Sequence, residues 1–177
     1  MILNVGCGGR ARDKASYFGD VRVDIKRFPT VTVLMDAHFL AFKDSSFDRI
    51  VCFEVLEHLS SPFKALKEFR RVLKNDGDVI LSVPNVWYWR RILRFLLRKK
   101  EVFDKLPETD HKQAWDVFEF NSLAYQAKFR VTDVKFLDWY PKGKRKLGIL
   151  EPLLKFIPQI SASHVMFRLK PMLKLNR

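Results

Sequence analysis

Phe47-Asp48-Arg49-Ile50-Val51-Cys52-Phe53-Glu54-Val55-Leu56-Glu57-His58-Leu59 is the stretch on which the fold turns. Its run from Arg49 to Phe53 is nearly continuous in apolar residues. Such a run suits a strand buried on both faces of a parallel sheet better than a half-exposed antiparallel one. A polar Leu56-Glu57-His58 segment then follows directly beyond the strand.

Working outward, the next residues carry a helix signature. Ser61 is a good N-cap, Pro62 suits the first helical position, and Gly77 lies past the end. Leu66, Phe69 and Leu73, with Ala65 and Val72 beside them, form the apolar stripe. This predicts a crossover helix leading to a parallel strand at Val79-Ile80-Leu81-Ser82-Val83. Upstream, Ile2-Leu3-Asn4-Val5, Val21-Arg22-Val23-Asp24 and Val31-Thr32-Val33-Leu34 read as three more strands. Only six residues separate Asp24 from Val31, so a loop must make that connection.

Beyond Pro84-Asn85 the character changes. Residues 86–100 read as an amphipathic helix, with Trp89, Ile92, Leu93, Leu96 and Leu97 on one face and Arg90, Arg94 and Arg98 on another. Residues 101–118 read as an irregular loop, and Asn121 as the cap of a helix over 122–128. A strand from Val131 to about Trp139, a helix at 147–157 and a last strand from His164 to Leu169 complete the reading. The predicted fold class is α/β: a doubly wound, mostly parallel seven-stranded sheet with an antiparallel closing strand. The chain is expected to be one domain over 1–177, with 85–120 as an insertion or lid.

Composition narrows the classes. With 177 residues, 47% hydrophobic and 30% charged, the chain can bury a core and is too apolar for disorder. No apolar run reaches the ~20 residues of a membrane-spanning helix, and no secretory leader is legible. Two cysteines, Cys7 and Cys52, cannot build a disulfide framework or a four-cysteine zinc site. A reducing cytoplasm, with peripheral membrane association as an option, is the expected location. The net charge of +13 is unevenly spread. Segments 86–100 and 142–177 together carry +14, which leaves the remainder at −1.

The chemistry-bearing residues begin at Asn4-Val5-Gly6-Cys7-Gly8-Gly9, a glycine turn where the first strand ends. Glycines there permit a tight turn and close approach of backbone to a ligand. Asp24 ends the second strand, and a carboxylate can accept both hydrogen bonds of a ribose diol. Asp36-Ala37-His38-Phe39-Leu40-Ala41-Phe42 precedes the fourth strand, and Phe53-Glu54-Val55-Leu56-Glu57-His58-Leu59 and Arg71-Val72-Leu73-Lys74-Asn75-Asp76-Gly77 follow in order. From Ile2 to Asn85 this series resembles the class I S-adenosylmethionine (SAM)-dependent methyltransferases, of the small-molecule type with a Leu-Glu-His segment after strand four.

The resemblance implies SAM as cofactor and a role for each matching position. Gly6, Cys7 and Gly8 would let backbone groups approach the methionine end. Asp24 would hold the ribose hydroxyls and Ile25 would pack on the adenine. Asp36 would accept from the adenine amino group, with the Ala37 backbone at a ring nitrogen. Phe53 and Glu54 would flank the methionine moiety. Asn4 stands where the family usually has an acid, and can still bond the loop or the ligand's amino group. Arg10 replaces a third glycine, and Asp76-Gly77 replaces the usual Pro-Gly turn. The helices that often precede strand one in the family are not expected here, since the sequence starts on that strand.

A nicotinamide dehydrogenase would also use Gly6-x-Gly8-x-x-Ala11 and Asp24. It leaves the Asp36-Ala37 and Leu56-Glu57-His58 segments unexplained.

His58 and His111 are the candidate catalytic residues, as bases for an acceptor hydroxyl. Glu57 and His58 alone are two ligands, so no metal is expected. The expected activity is methyl transfer to a small-molecule or lipid/glycan-type acceptor. RNA or DNA methylation is the runner-up, and a non-catalytic SAM-fold scaffold subunit is the alternative from another class. Segments 86–100 and 142–177 are candidate contacts for an anionic membrane surface or nucleic acid. A homodimer would supply cover that the chain itself lacks.

Overall fold

In a computed structural model the described residues are 1–8, 18–96, 111–137 and 157–172. The strands are β1 (Ile2–Val5), β2 (Val21–Asp24), β3 (Val33–Leu34), β4 (Phe47–Phe53), β5 (Leu73–Pro84), β6 (Phe129–Leu137) and β7 (His164–Pro171). They form one sheet in the order β3-β2-β1-β4-β5-β7-β6. Pairings from β3 through to β5 are parallel, while β7 runs antiparallel to both β5 and β6. This is the α/β sheet expected from the sequence, closed by one antiparallel strand. The order reverses between β1 and β4, which opens a crevice at their carboxyl ends.

Burial follows the apolar runs. Leu3, Val23, Phe47, Ile50, Cys52, Val79 and Leu81 are fully buried, as a sheet covered on both faces requires. Helix α1 (Pro62–Val72) lays Ala65, Leu66, Phe69 and Val72 onto that core. Ser61 caps it by accepting from the Lys64 amide, and Pro62 begins it. Leu73 departs from the predicted stripe. It is extended, pairs with Phe47 and starts β5, so the helix ends one residue earlier. Asp78 ties three strands together. It takes both Arg49 donors at 2.6 and 2.8 Å, and Arg168 Nε at 3.1 Å.

The second half matches in outline and differs at its ends. Asn85 accepts from the Trp87 amide, so the predicted helix from 86 starts only at Trp89 and runs as α2 (Trp89–Leu96). Leu93 and Leu96 on it are exposed. Asn121 is not a cap. Helix α3 (Val117–Gln126) begins at Asp116, whose carboxylate accepts from the Glu119 amide while the Glu119 side chain accepts from the Asp116 amide. That reciprocal capping box outcompetes a lone asparagine. The sixth strand starts at Phe129, two residues early, and Phe120 stacks on Phe167 at 4.2 Å. The predicted helix at 147–157 falls almost wholly outside the described residues; a short α4 (Pro158–Ser161) follows it. No helix among the described residues is long and apolar enough to cross a membrane.

Candidate active site

The crevice is lined first by the turn after β1. Gly6 and Gly8 have φ of +70° and +64°, a region that L side chains enter only at a cost. Gly6 is doubly constrained, because a β-carbon there would lie 2.2 Å from Val55 Cγ2. At Gly8 an added β-carbon would meet nothing within 4 Å among the described residues. The Gly6 and Cys7 amides both donate to Val23 O, which presses the turn onto the end of β2.

That contact orients Asp24. Its Oδ2 accepts from the Gly8 amide and its Oδ1 from the Lys26 amide, both at 2.9 Å. Each oxygen keeps a second lone pair for a ligand. Ile25 beside it is 70% exposed, an unusual place for an isoleucine and a suitable one for a flat ring. The Cys7 side chain turns inward to Thr30, and burial pushes its thiol pKa up, so Cys7 can offer a ligand only its backbone. Asn4 is also buried, and its Nδ2 donates to Phe18 O at 2.9 Å. It braces the loop below the crevice.

The Asp36 loop is held by residues whose roles the sequence did not disclose. Asp36 Oδ1 accepts from the His38 amide at 2.9 Å and contacts His38 Nδ1 at 2.6 Å. The backbone amide first, and the ring second, hold its carboxyl below the usual range. The Ser61 amide donates to His38 Nε2 at 3.2 Å, so the ring proton sits on Nδ1, toward Asp36. Ala37 is buried between them in sequence. Arg71, paired with Glu68 on its own helix, clasps the same loop to α1 through the carbonyls of Leu40 and Phe42 and the Asp44 carboxylate.

Phe53 ends β4, partly exposed, and Glu54 follows it at a strained φ of +54°. Both Glu54 oxygens are engaged. Ser82 Oγ donates to Oε1 at 2.6 Å, and His164 Nε2 lies 3.1 Å from Oε2. Ser163 Oγ in turn lies 2.8 Å from His164 Nδ1. Glu54 is therefore braced from β5 and β7, which no local motif could indicate.

Leu56–His58 form one 3-10 turn. It buries Glu57 completely, and neither carboxylate oxygen has a hydrogen-bond partner. Burial, aided by the charge of Glu54, pushes the Glu57 pKa up to about 8. His58 Nε2 lies 3.8 Å from Glu57 Oε1. His111 arrives from the far end of the insertion and meets His58 edge-on, at 4.7 Å between ring centroids. The Lys112 and Gln113 amides both donate to Glu57 O, at 2.7 and 3.3 Å. The two candidate catalytic histidines thus come together from 53 positions apart in the chain. Segment 86–100 is described only to 96, and 142–177 only at 157–172.

Comparison with known proteins bears on the fold and on the first half of the chain. Residues 3–81 match the family described as the methyltransferase domain. A protein of Methanocaldococcus jannaschii is 39% identical over 93 residues, covering 48% of this chain and 41% of its own length. The ubiquinone biosynthesis O-methyltransferase of Alkalilimnicola ehrlichii is 27% identical over 166 residues, covering 81% of this chain and 66% of that enzyme. The chain thus spans under half the length of the first of these relatives and about two thirds of the second. Among solved structures, the complex of the Haloferax volcanii Trm112 methyltransferase activator with a methyltransferase superposes with a TM-score of 0.65 at 14% identity. The match covers 99% of this chain and 83% of the other. What is shared with that structure is the fold.

Proposed function

With residues 3–81 matched to the methyltransferase domain and the sheet order of the SAM-dependent enzymes as premise, we propose that the chain moves a methyl group from SAM to a small-molecule or lipid/glycan-type acceptor. The observation that carries this reading is the Gly8–Asp24 contact. It fixes a carboxylate beside a glycine turn at which an added Gly8 β-carbon would meet none of the described residues. That arrangement fits a nucleoside with a vicinal diol. When bound, SAM supplies a methyl group already activated on a sulfonium.

The chain's own part is alignment. Asp24 would accept from the diol and exposed Ile25 would cover the adenine. Asp36, whose Oδ1 is taken by His38, would offer Oδ2 to the amino group, with the Ala37 amide beside it. Gly6, Cys7 and Gly8 would present backbone, and Phe53 and Glu54 would border the methionine end. Orientation contributes roughly 7–11 kcal/mol to such a reaction and a general base roughly 3–5. Positioning therefore outweighs base catalysis. His58 and His111 stand beyond Glu54, where a lone pair could act on the acceptor. The small-molecule reading is supported by the O-methyltransferase relative, which aligns over most of the chain.

A second reading is favoured by one observation, the Trm112 complex, whose methyltransferase is bound to an activator protein. In it this chain needs a protein partner to work. Calorimetric titration with SAM, with Asp24→Ala as control, tests the first reading. Binding by the isolated chain that the variant loses supports it. No binding at millimolar SAM overturns it for the chain alone.

A further inference from the structure

We propose that His38 is a positioning residue that makes the nucleoside site selective for adenine over purines with an oxo group in place of the amino group. It does so by taking one oxygen of Asp36 and leaving the other as a single acceptor. His38 acts on the adenine that the methyltransferase reading places beside Asp36, and its role rests on that reading.

The proton on the ring is fixed from outside the loop. The Ser61 amide, which can only donate, meets His38 Nε2 at 3.2 Å, and Ser60 Oγ lies 3.5 Å from the same nitrogen. Nε2 therefore accepts, and in the neutral ring Nδ1 carries the proton. Nδ1 lies 2.6 Å from Asp36 Oδ1, which also accepts from the His38 amide at 2.9 Å. Oδ1 thus has two donors for its two lone pairs. The His38 side chain is 11% exposed against 42% for Asp36, so the ring is covered while the carboxylate stays accessible. Ser61 is also the cap of α1, and the start of that helix sets the tautomer that aims Asp36.

One available oxygen suits one kind of base. Adenine gives an amino hydrogen to a single acceptor, and its neighbouring ring nitrogen can accept from a backbone amide. An oxo group reverses both: its oxygen opposes the carboxylate oxygen, and the ring N–H opposes the amide. Guanine, with a ring N–H and an amino group side by side, pairs best with both oxygens of a carboxylate, and Oδ1 is withheld. Released by the ring, Asp36 can turn and offer either oxygen, so the amino group loses its advantage.

Calorimetry of the full chain with S-adenosylhomocysteine, the demethylated product, and with its inosine analogue gives the test. The wild type should favour the amino compound by about 100-fold, since a hydrogen bond to a charged group is worth roughly 10–150-fold and the opposed oxygens add repulsion. His38→Gln places its amide near the Nε2 position and leaves Oδ1 without the ring donor. The preference should then fall by about 10-fold. His38→Asn keeps a donor near the Nδ1 position and should retain most of it. A thermal melt verifies that both variants fold. In the wild-type chain, nitrogen NMR at mildly alkaline pH should show His38 protonated at Nδ1 and bare at Nε2. Any other protonation pattern overturns the proposal, as does an unchanged preference in His38→Gln or an equal loss in both variants. Failure of the wild type to bind either compound overturns the nucleoside reading as well, whereas tight binding with an unaltered preference overturns the role of His38 alone.

Discussion

A β-carbon on Gly6 would sit 2.2 Å from Cγ2 of Val55, which joins the turn after β1 directly to the residue following Glu54. Gly6→Ala must push the two segments apart and hold alanine at φ +70°. Overpacking costs about 1–3 kcal/mol, and the left-handed conformation adds ~1–2. Denaturant unfolding should show this loss. The double variant Gly6→Ala/Val55→Ala should regain the steric share while keeping the conformational one.

Asp24 leaves a vacancy for the Gly8 and Lys26 amides if it is truncated. Hydrogen bonds to a charged group are worth about 1.5–3 kcal/mol, or roughly 10–150-fold in affinity. Asp24→Ala should lose at least that much SAM affinity by calorimetry. Asp24→Asn, which keeps one acceptor oxygen, should lose less.

Arg71 holds three groups of the loop that carries Asp36, the Leu40 and Phe42 carbonyls and the Asp44 carboxylate. Lysine cannot reproduce a planar fork of donors. Arg71→Lys should therefore destabilise by about 1–3 kcal/mol in urea, and should also weaken SAM binding through the loosened loop. Glu68, held below the usual carboxyl range by Arg71, loses its share of stability as pH falls through its folded value.

Glu57 works in the opposite direction. Its folded pKa of about 8 lies above the ordinary 4.5, so the folded chain holds more protons between those values. This contribution to stability is then fully present below about 4.5 and is lost as pH rises through about 8. Glu57→Gln should flatten that slope and stabilise the protein at pH 7 by on the order of 3 kcal/mol. Melting curves across pH 5 to 8.5 give the check; a slope unchanged by Glu57→Gln would assign it to another group.

His58→Ala should reduce turnover more than SAM affinity, since His58 stands with His111 rather than with Asp24. Single-turnover methyl transfer beside a SAM titration separates the two effects. Equal turnover in the variant would remove His58 from the chemistry.

Much of this was readable from residues alone, for reasons that differ by element. The β4 run and the Ser61-Pro62 start of α1 were legible because burial on both faces and capping are written in adjacent positions. Leu73 continues the helical spacing from Phe69, and only its pairing with Phe47 turns it into a strand. The cap of α3 was legible in Asp116-Val117-Phe118-Glu119, but the nearer asparagine was preferred. Asp24 and Asp36 could be singled out by resemblance, while His38 as the partner of Asp36 could not. Nothing in an acid's identity says that Glu57 is buried. His164 beside Glu54, and His111 beside His58, are products of tertiary contact across long stretches of chain.

The last strand does not lie at the edge of the sheet. β7 is inserted between β5 and β6, and it delivers His164 to Glu54. During synthesis, β1 to β5 can pair as they leave the ribosome, yet β5 keeps an open edge and β6 has no neighbour until the chain's final stretch emerges. The His164 half of the brace on Glu54 is set at that same moment. A polypeptide cut short before His164 would have the glycine turn and both aspartates but a Glu54 held by Ser82 alone.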